Sequence, residues 1–201
     1  MSALFAAVSR RFEVGHAAAP PALWTDPRVD EIESFKPAAV LIAITERERP
    51  GMLLLHRPST MRAHPGQIAF PGGRIDPGET AVEAALREAH EELGIRPQDV
   101  RVIGTSDLYR TGSGYEITPV IGLIPPDITI VPNPAEVAQW FEAPVGFVLD
   151  RANQRTRSVQ YEGRAHSFVE IVWNAEGQDH VIWGVTGAIL HNLAGRLNWH
   201  D

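Results

Sequence analysis

Glu88, Glu91 and Glu92 are the residues whose type and spacing point to chemistry. At about 100° per residue they share one side of a helix over residues 80–93, within about 100° of arc. Val82, Leu86, Ala89 and Leu93 fall on the other side as an apolar stripe, and Ala81, Ala84 and Ala85 lie between the two. The three carboxylates repel one another at i+3 and i+4 by roughly 0.2–0.5 kcal/mol per pair. They also sit toward the C-terminal end, where the helix dipole disfavours anions. Two readings stand: a solvated polar face, or a seat for a divalent cation that takes oxygen ligands, such as Mg²⁺ or Mn²⁺. The only adjacent cation on the helix is Arg87.

The segment ahead of the helix suits a functional loop. Between Pro58 and Gly78 stand Pro65, Gly66, Pro71, Gly72, Gly73 and Pro77. Gly72 and Gly73 let backbone approach the carboxylates closely. Asp76-Pro77-Gly78 suits a tight turn into the helix, and Gly94 suits its stop.

Loop and helix together read Gly73-x5-Glu79-x7-Arg87-Glu88-Ala89-x-Glu91-Glu92-x-Gly94-Ile95. This resembles the Nudix box at every fixed position, with Ala89 a small choice where the box takes an apolar residue. The resemblance implies hydrolysis of a nucleoside diphosphate linked to another group, with Mg²⁺ or Mn²⁺ as cofactor. It implies Glu88, Glu91 and Glu92 as metal ligands, with a backbone carbonyl from Gly73. Glu88 or a glutamate elsewhere, Glu136 among the candidates, would activate water. Arg87 would orient a box glutamate, through Glu79. The catalytic set is therefore Glu88, Arg87, Glu79 and Glu91.

A second signature lies upstream. Arg62-Ala63-His64-Pro65-Gly66-Gln67-Ile68-Ala69-Phe70-Pro71-Gly72-Gly73 is similar to the element that marks coenzyme A pyrophosphatases within that family. Leu55 and Pro58, in the part before it, depart from the pattern. The similarity continues through Thr111–Tyr115, Thr118–Gly122, Asn133–Val137 and Ile182–Thr186, covering roughly residues 36–197. It implies cleavage of coenzyme A or its thioesters to 3′,5′-ADP and 4′-phosphopantetheine or its acyl form. Arg57, Arg62, His64, Gln67 and Phe70 become substrate-binding candidates, the arginines for phosphate because guanidinium pairs with it bidentately. Phe70 also fits a core position. ADP-ribose, NADH or another nucleoside diphosphate derivative is the rival substrate. A non-catalytic nucleotide-sensing domain is the rival of another class, and the intact box speaks against it.

Composition bounds the rest. The chain has 201 residues, is 44% apolar and 21% charged, and carries 18 basic against 25 acidic residues for a net −7. That is an ordinary globular composition. An acidic chain gains little from polymeric nucleic acid, so none is expected as a partner. No cysteine is present, which removes disulfides, zinc–thiolate sites and cysteine nucleophiles. The histidines show no metal-ligand spacing. No apolar run approaches the length of a membrane span, and Arg10 and Arg11 follow the first apolar stretch in the wrong order for a secretory signal. A cytoplasmic enzyme with a small-molecule substrate, monomeric or homodimeric, is the expectation.

The elements that must position these residues can be read coarsely. Residues 3–12 suit a short helix, and residues 1–35 are read as an N-terminal helix and connector without a usable motif. Residues 36–201 are read as the Nudix hydrolase domain. Residues 38–45 and 52–55 suit a strand hairpin, and 100–103, 116–124 and 128–131 further strands. Residues 135–141 suit a short helix after Asn133-Pro134. Residues 147–149 suit a short piece. Residues 157–161 and 167–173 suit a hairpin turning at Glu162-Gly163, and 184–197 a closing helix. Trp140, Trp173, Trp183 and Trp199 read as packing residues. The fold class is α/β with a mixed sheet (α+β in character), and the resemblance implies the Nudix α/β/α sandwich.

Overall fold

The structure is a computed structural model that describes residues 2–19, 22–59, 66–161, 164–175 and 177–199. Arg62, His64 and the turn at Glu162-Gly163 lie outside the described residues.

The central sheet is built on two long apolar strands, β1 (Lys36–Thr45) and β7 (Tyr115–Ile124), paired in parallel from Lys36↔Tyr115 to Thr45↔Ile124. β2 (Gly51–His56) returns antiparallel to β1. β3 (Ile68–Ala69) and β8 (Gln139–Pro144) pair with β2. β4 (Gly72–Arg74) pairs with β1, while β5 (Arg101–Thr105) and β6 (Tyr109–Arg110) pair with β7. The order β3-β2-β1-β7-β5 with mixed directions makes an α/β sheet. A second sheet, β11-β10-β9, comprises β9 (Gln154–Tyr161), β10 (Arg164–Ala175) and β11 (Gln178–Ile182).

The period of two in the strands decides the layers. Ala39, Leu41, Ala43, Leu53 and Leu55 pack on one face against α2 (Ala81–Leu93). Ile42, Ile44, Met52 and Leu54 pack on the other against α1 (Ala3–Ala17), α3 (Val145–Leu149) and α4 (Gly184–Leu197), through Val8, Val148, Ile189, Leu190 and Leu193. Helices thus cover both faces of the sheet. Arg196 of α4, 6% exposed, locks α1 in place. Its guanidinium pairs with Asp107 at 2.7 and 2.6 Å and donates to the carbonyls of Gly15 and Ala18.

Three local expectations are corrected. Residues 128–131 form no strand; Ile128 and Ile130 pack beneath α2, and the Val131 amide bonds the Leu93 carbonyl at 2.9 Å, so the segment covers the helix end. Residues 135–141 are not helical. From Gln139 burial alternates, Phe141 and Ala143 turning inward, and the segment becomes β8 because the edge of β2 offers it a ladder. Within α2 the buried residues are Ala84, Ala85, Ala89, Glu92 and Leu93, with Val82 and Leu86 half-buried. The apolar stripe is therefore rotated toward Glu92.

Candidate active site

α2 is held rigidly at both ends. Thr80 Oγ1 accepts from the Glu83 amide at 3.2 Å and Glu83 returns a bond to the Thr80 amide at 2.8 Å, a capping box. Gly94, at φ +70°, ends the helix in the left-handed conformation that glycine tolerates best. β4 runs across the helix and sets its two glycines against the carboxylates. The Gly72 amide donates to Glu92 Oε2 at 2.9 Å. A Cβ on Gly73 would overlap the Glu88 carboxylate, so that carboxylate rests directly on the glycine backbone.

Arg87 gathers the remaining acids. Its Nε and Nη2 grip Glu79 at 2.8 and 3.1 Å, Nη1 reaches Glu88 at 2.8 Å and Glu91 at 3.1 Å, and Nη2 also donates to the Arg74 carbonyl. The guanidinium hydrogen bond holds the Glu79 carboxyl below its ordinary value, helped by the Asp76 amide.

One side-chain oxygen from each of Glu88, Glu92 and Glu136 lies within 4.8 Å of the others. Glu136 arrives from the loop before β8, where Asn133 Nδ2 donates to it at 3.1 Å. Glu91 is left on the Arg87 side, with a side chain 49% exposed. Burial pushes the Glu92 carboxyl up to about 8, although the Gly72 amide favours the ionised form; the nearby Glu88 carboxylate raises it further. Burial also raises Glu88, against the opposing hydrogen bond from Arg87. Three crowded carboxylates, two of them desolvated and with only Glu88 bonded by Arg87, are an all-oxygen donor set, which fits Mg²⁺ or Mn²⁺.

The cluster opens into a cavity of about 460 Å³. Arg57, Gln67, Gly72, Gly73 and Arg74 line it near the carboxylates; Val40, Ile68, Ile117, Val185 and Ile189 give it an apolar side. Arg57 Nε has no hydrogen-bond partner among the described residues. Phe70 reaches the wall but is 3% exposed and belongs to the core. Sequence reasoning missed Trp183, which is 41% exposed and lines the cavity instead of packing inside. It also gave no weight to Arg74, although β4 leads straight from the two glycines to it.

The α/β/α sandwich presents a glycine-backed helix of glutamates to a cavity of about 460 Å³, an arrangement suited to metal-assisted hydrolysis. The NUDIX domain family matches residues 35–160, and the chain belongs to the Nudix family. A protein of Enterobacter sp. (strain 638) carrying the name uncharacterized Nudix hydrolase NudL is 42% identical over 165 residues, 82% of this chain and 84% of its own length. The protein of that name from Photorhabdus laumondii is 42% identical over 161 residues, 80% of this chain and 84% of its own. Among solved structures, a MutT/nudix family protein from Enterococcus faecalis overlays 95% of this chain and 68% of its own at TM-score 0.51 and 13% identity, a likeness of fold. The M. smegmatis Nudix hydrolase RenU overlays 58% of this chain and 75% of its own at TM-score 0.50 and 28% identity. Among the described residues no helix is long and apolar enough to cross a membrane.

Proposed function

We propose that this Nudix enzyme hydrolyses the diphosphate of coenzyme A or its thioesters, releasing 3′,5′-ADP and 4′-phosphopantetheine or its acyl form. The observation that carries the reading is the mixed lining of the cavity: the carboxylates of Glu88, Glu92 and Glu136 with Arg57 and Arg74, and an apolar part made by Val40, Ile68, Ile117, Val185 and Ile189. A substrate joining a diphosphate to a long, weakly polar arm fits that division. The upstream resemblance through Gln67, Phe70 and Gly73 supports the same substrate.

In this reading Glu88 and Glu92 hold Mg²⁺ or Mn²⁺, with Gly73 backing Glu88 and Glu136 close beside them. A bound divalent cation supplies positive charge against the diphosphate oxygens. Arg57 donates its unpartnered Nε–H to a phosphate oxygen, and Arg74 adds charge at the same side. Arg87 orients Glu88 by holding it together with Glu79 and Glu91. Glu136 accepts the proton of the attacking water, because Glu88 is already engaged by Arg87.

The test is a substrate panel of coenzyme A, ADP-ribose and NADH with Mg²⁺ and with Mn²⁺. Coenzyme A is expected to have the highest kcat/KM. Much faster cleavage of ADP-ribose or NADH would overturn the substrate assignment. Glu136→Gln is expected to lower kcat about 10²–10³-fold; unchanged kcat would remove it as the base.

A further inference from the structure

The segment before β1 carries no motif and does not line the cavity, yet it is bonded to a loop that does. The loop between β6 and β7 contributes Thr111, Ser113 and Tyr115 to the cavity wall. It is stitched to itself: the Tyr115 amide donates to Thr111 Oγ1 at 3.0 Å, the Gly114 amide donates to the Thr111 carbonyl at 3.0 Å, and the Thr111 and Ser113 hydroxyls share a bond of 3.0 Å. Gly114, at φ +82°, closes the turn. On the inner side Arg74 donates to the Tyr115 hydroxyl at 3.1 Å.

The outer side is tied by Gly112, whose amide donates to Asp26 Oδ2 at 2.8 Å across 86 positions of sequence. The Asp26 side chain is 10% exposed. It also accepts from the Arg28 amide at 3.0 Å, capping the short 3-10 helix Pro27–Glu31, and from the Arg28 guanidinium at 3.0 and 2.7 Å. Burial alone would raise the Asp26 carboxyl; the bonds from Arg28 and Gly112 outweigh it and keep the group ionised. A Cβ at position 112 would overlap the Arg28 side chain, so the two segments are in close contact there. An amide bonded to a buried, ionised carboxylate is among the stronger hydrogen bonds a loop can make.

We propose that Asp26 is a positioning residue for substrate: through the Gly112 amide it holds the Thr111–Tyr115 loop as the outer wall of the cavity, which makes the segment before β1 part of the substrate site. The proposal rests on the reading that this cavity takes the diphosphate substrate. A residue that only capped its 3-10 helix would act differently. Asp150 provides that comparison, since its carboxylate caps the 3-10 helix Arg151–Asn153 through the Ala152 amide at 2.9 Å and, among the described residues, has no bond to the Thr111–Tyr115 loop.

The experiment compares Asp26→Ala, Asp26→Asn and Asp150→Ala by amide hydrogen exchange on the ligand-free protein and by steady-state kinetics with coenzyme A and Mn²⁺, or with ADP-ribose if coenzyme A is not cleaved. Asp26→Ala is expected to speed exchange at Gly112 about tenfold or more and to raise KM about tenfold with kcat within about twofold, the signature of lost substrate positioning. Asp26→Asn keeps an acceptor oxygen and is expected to stay within about threefold of the parent in both readouts. Asp150→Ala is expected to change neither. Should Asp26→Ala fail to fold, Arg28→Ala loosens the same carboxylate and is expected to move Gly112 exchange and KM in the same direction. Unchanged Gly112 exchange, a fall in kcat at constant KM, or an equal loss in Asp150→Ala would overturn the proposal. If the parent cleaves neither diphosphate, the functional reading fails, and the exchange result alone decides the clamp.

Discussion

Glu92→Gln separates the electrostatic demand of the site from the stability of the fold. Glu92 is 3% exposed, its carboxylate accepts from the Gly72 amide, and burial pushes its carboxyl from an ordinary 4.5 up to about 8. At about 1.4 kcal/mol per pH unit this amounts to at most about 5 kcal/mol. The sign follows from proton counting. Below pH 4.5 the group is protonated in both states and costs nothing. Between 4.5 and about 8 the unfolded chain has released the proton while the folded chain retains it, so stability falls as pH rises. Above about 8 the full cost is present. His56, His180 and His191, lowered chiefly by burial, contribute with the opposite slope below about pH 6.5 and cancel in the difference between parent and variant, which reports Glu92 together with its coupling to Glu88. In urea unfolding of chelator-treated protein, Glu92→Gln is expected to match the parent near pH 4.5 and to exceed it by about 2–5 kcal/mol at pH 8.5. Adding Mg²⁺ or Mn²⁺ at pH 8.5 is expected to stabilise the parent, with a much smaller effect on the variant. A difference curve that stays flat from pH 5 to 8.5 would refute the reasoning.

Three further perturbations address the surrounding parts. Gly73→Ala places a methyl group in the Glu88 carboxylate, so kcat is expected to fall at least about 10²-fold while circular dichroism stays unchanged. Arg87→Lys keeps a charge but loses the fork that joins Glu79, Glu88 and Glu91; a kcat loss of about tenfold or more is expected from kinetics with saturating substrate. Arg196→Ala leaves Asp107 without its partner and frees the carbonyls of Gly15 and Ala18; denaturant unfolding is expected to show a loss of about 3–5 kcal/mol, with kcat of the folded fraction unchanged.

The strongly patterned elements were legible from sequence. The short, β-branched run AAVLIAIT reads best as a buried strand, and β1 is such a strand. The helix ended by Gly94 and the closing helix at residues 184–197 were also plain. The rotation of α2 was hidden because a helical wheel orders residues by angle without saying which neighbour arrives from elsewhere. β4 covers the Glu92 side, and a Gly-Gly backbone in contact with a carboxylate has no hydrophobic signature. β8 was hidden because Asn133-Pro134 looks like a helix start, whereas the deciding influence was the free edge of β2. The box spacing located Glu88 and Glu92 on the helix, but their meeting with Glu136 depends on a loop more than forty positions away. Asp26 was beyond reach for the same reason: an aspartate before a proline reads as a local cap, and its bond to Gly112 exists only in three dimensions.

The central claim is tested most directly by incubating the protein with coenzyme A and Mn²⁺ in ¹⁸O-water and weighing the products, beside Glu88→Gln. The account predicts 3′,5′-ADP and 4′-phosphopantetheine, with one ¹⁸O atom in one of the two products, and no turnover by the variant. Intact coenzyme A, products cleaved at another bond, or full activity in Glu88→Gln would contradict it.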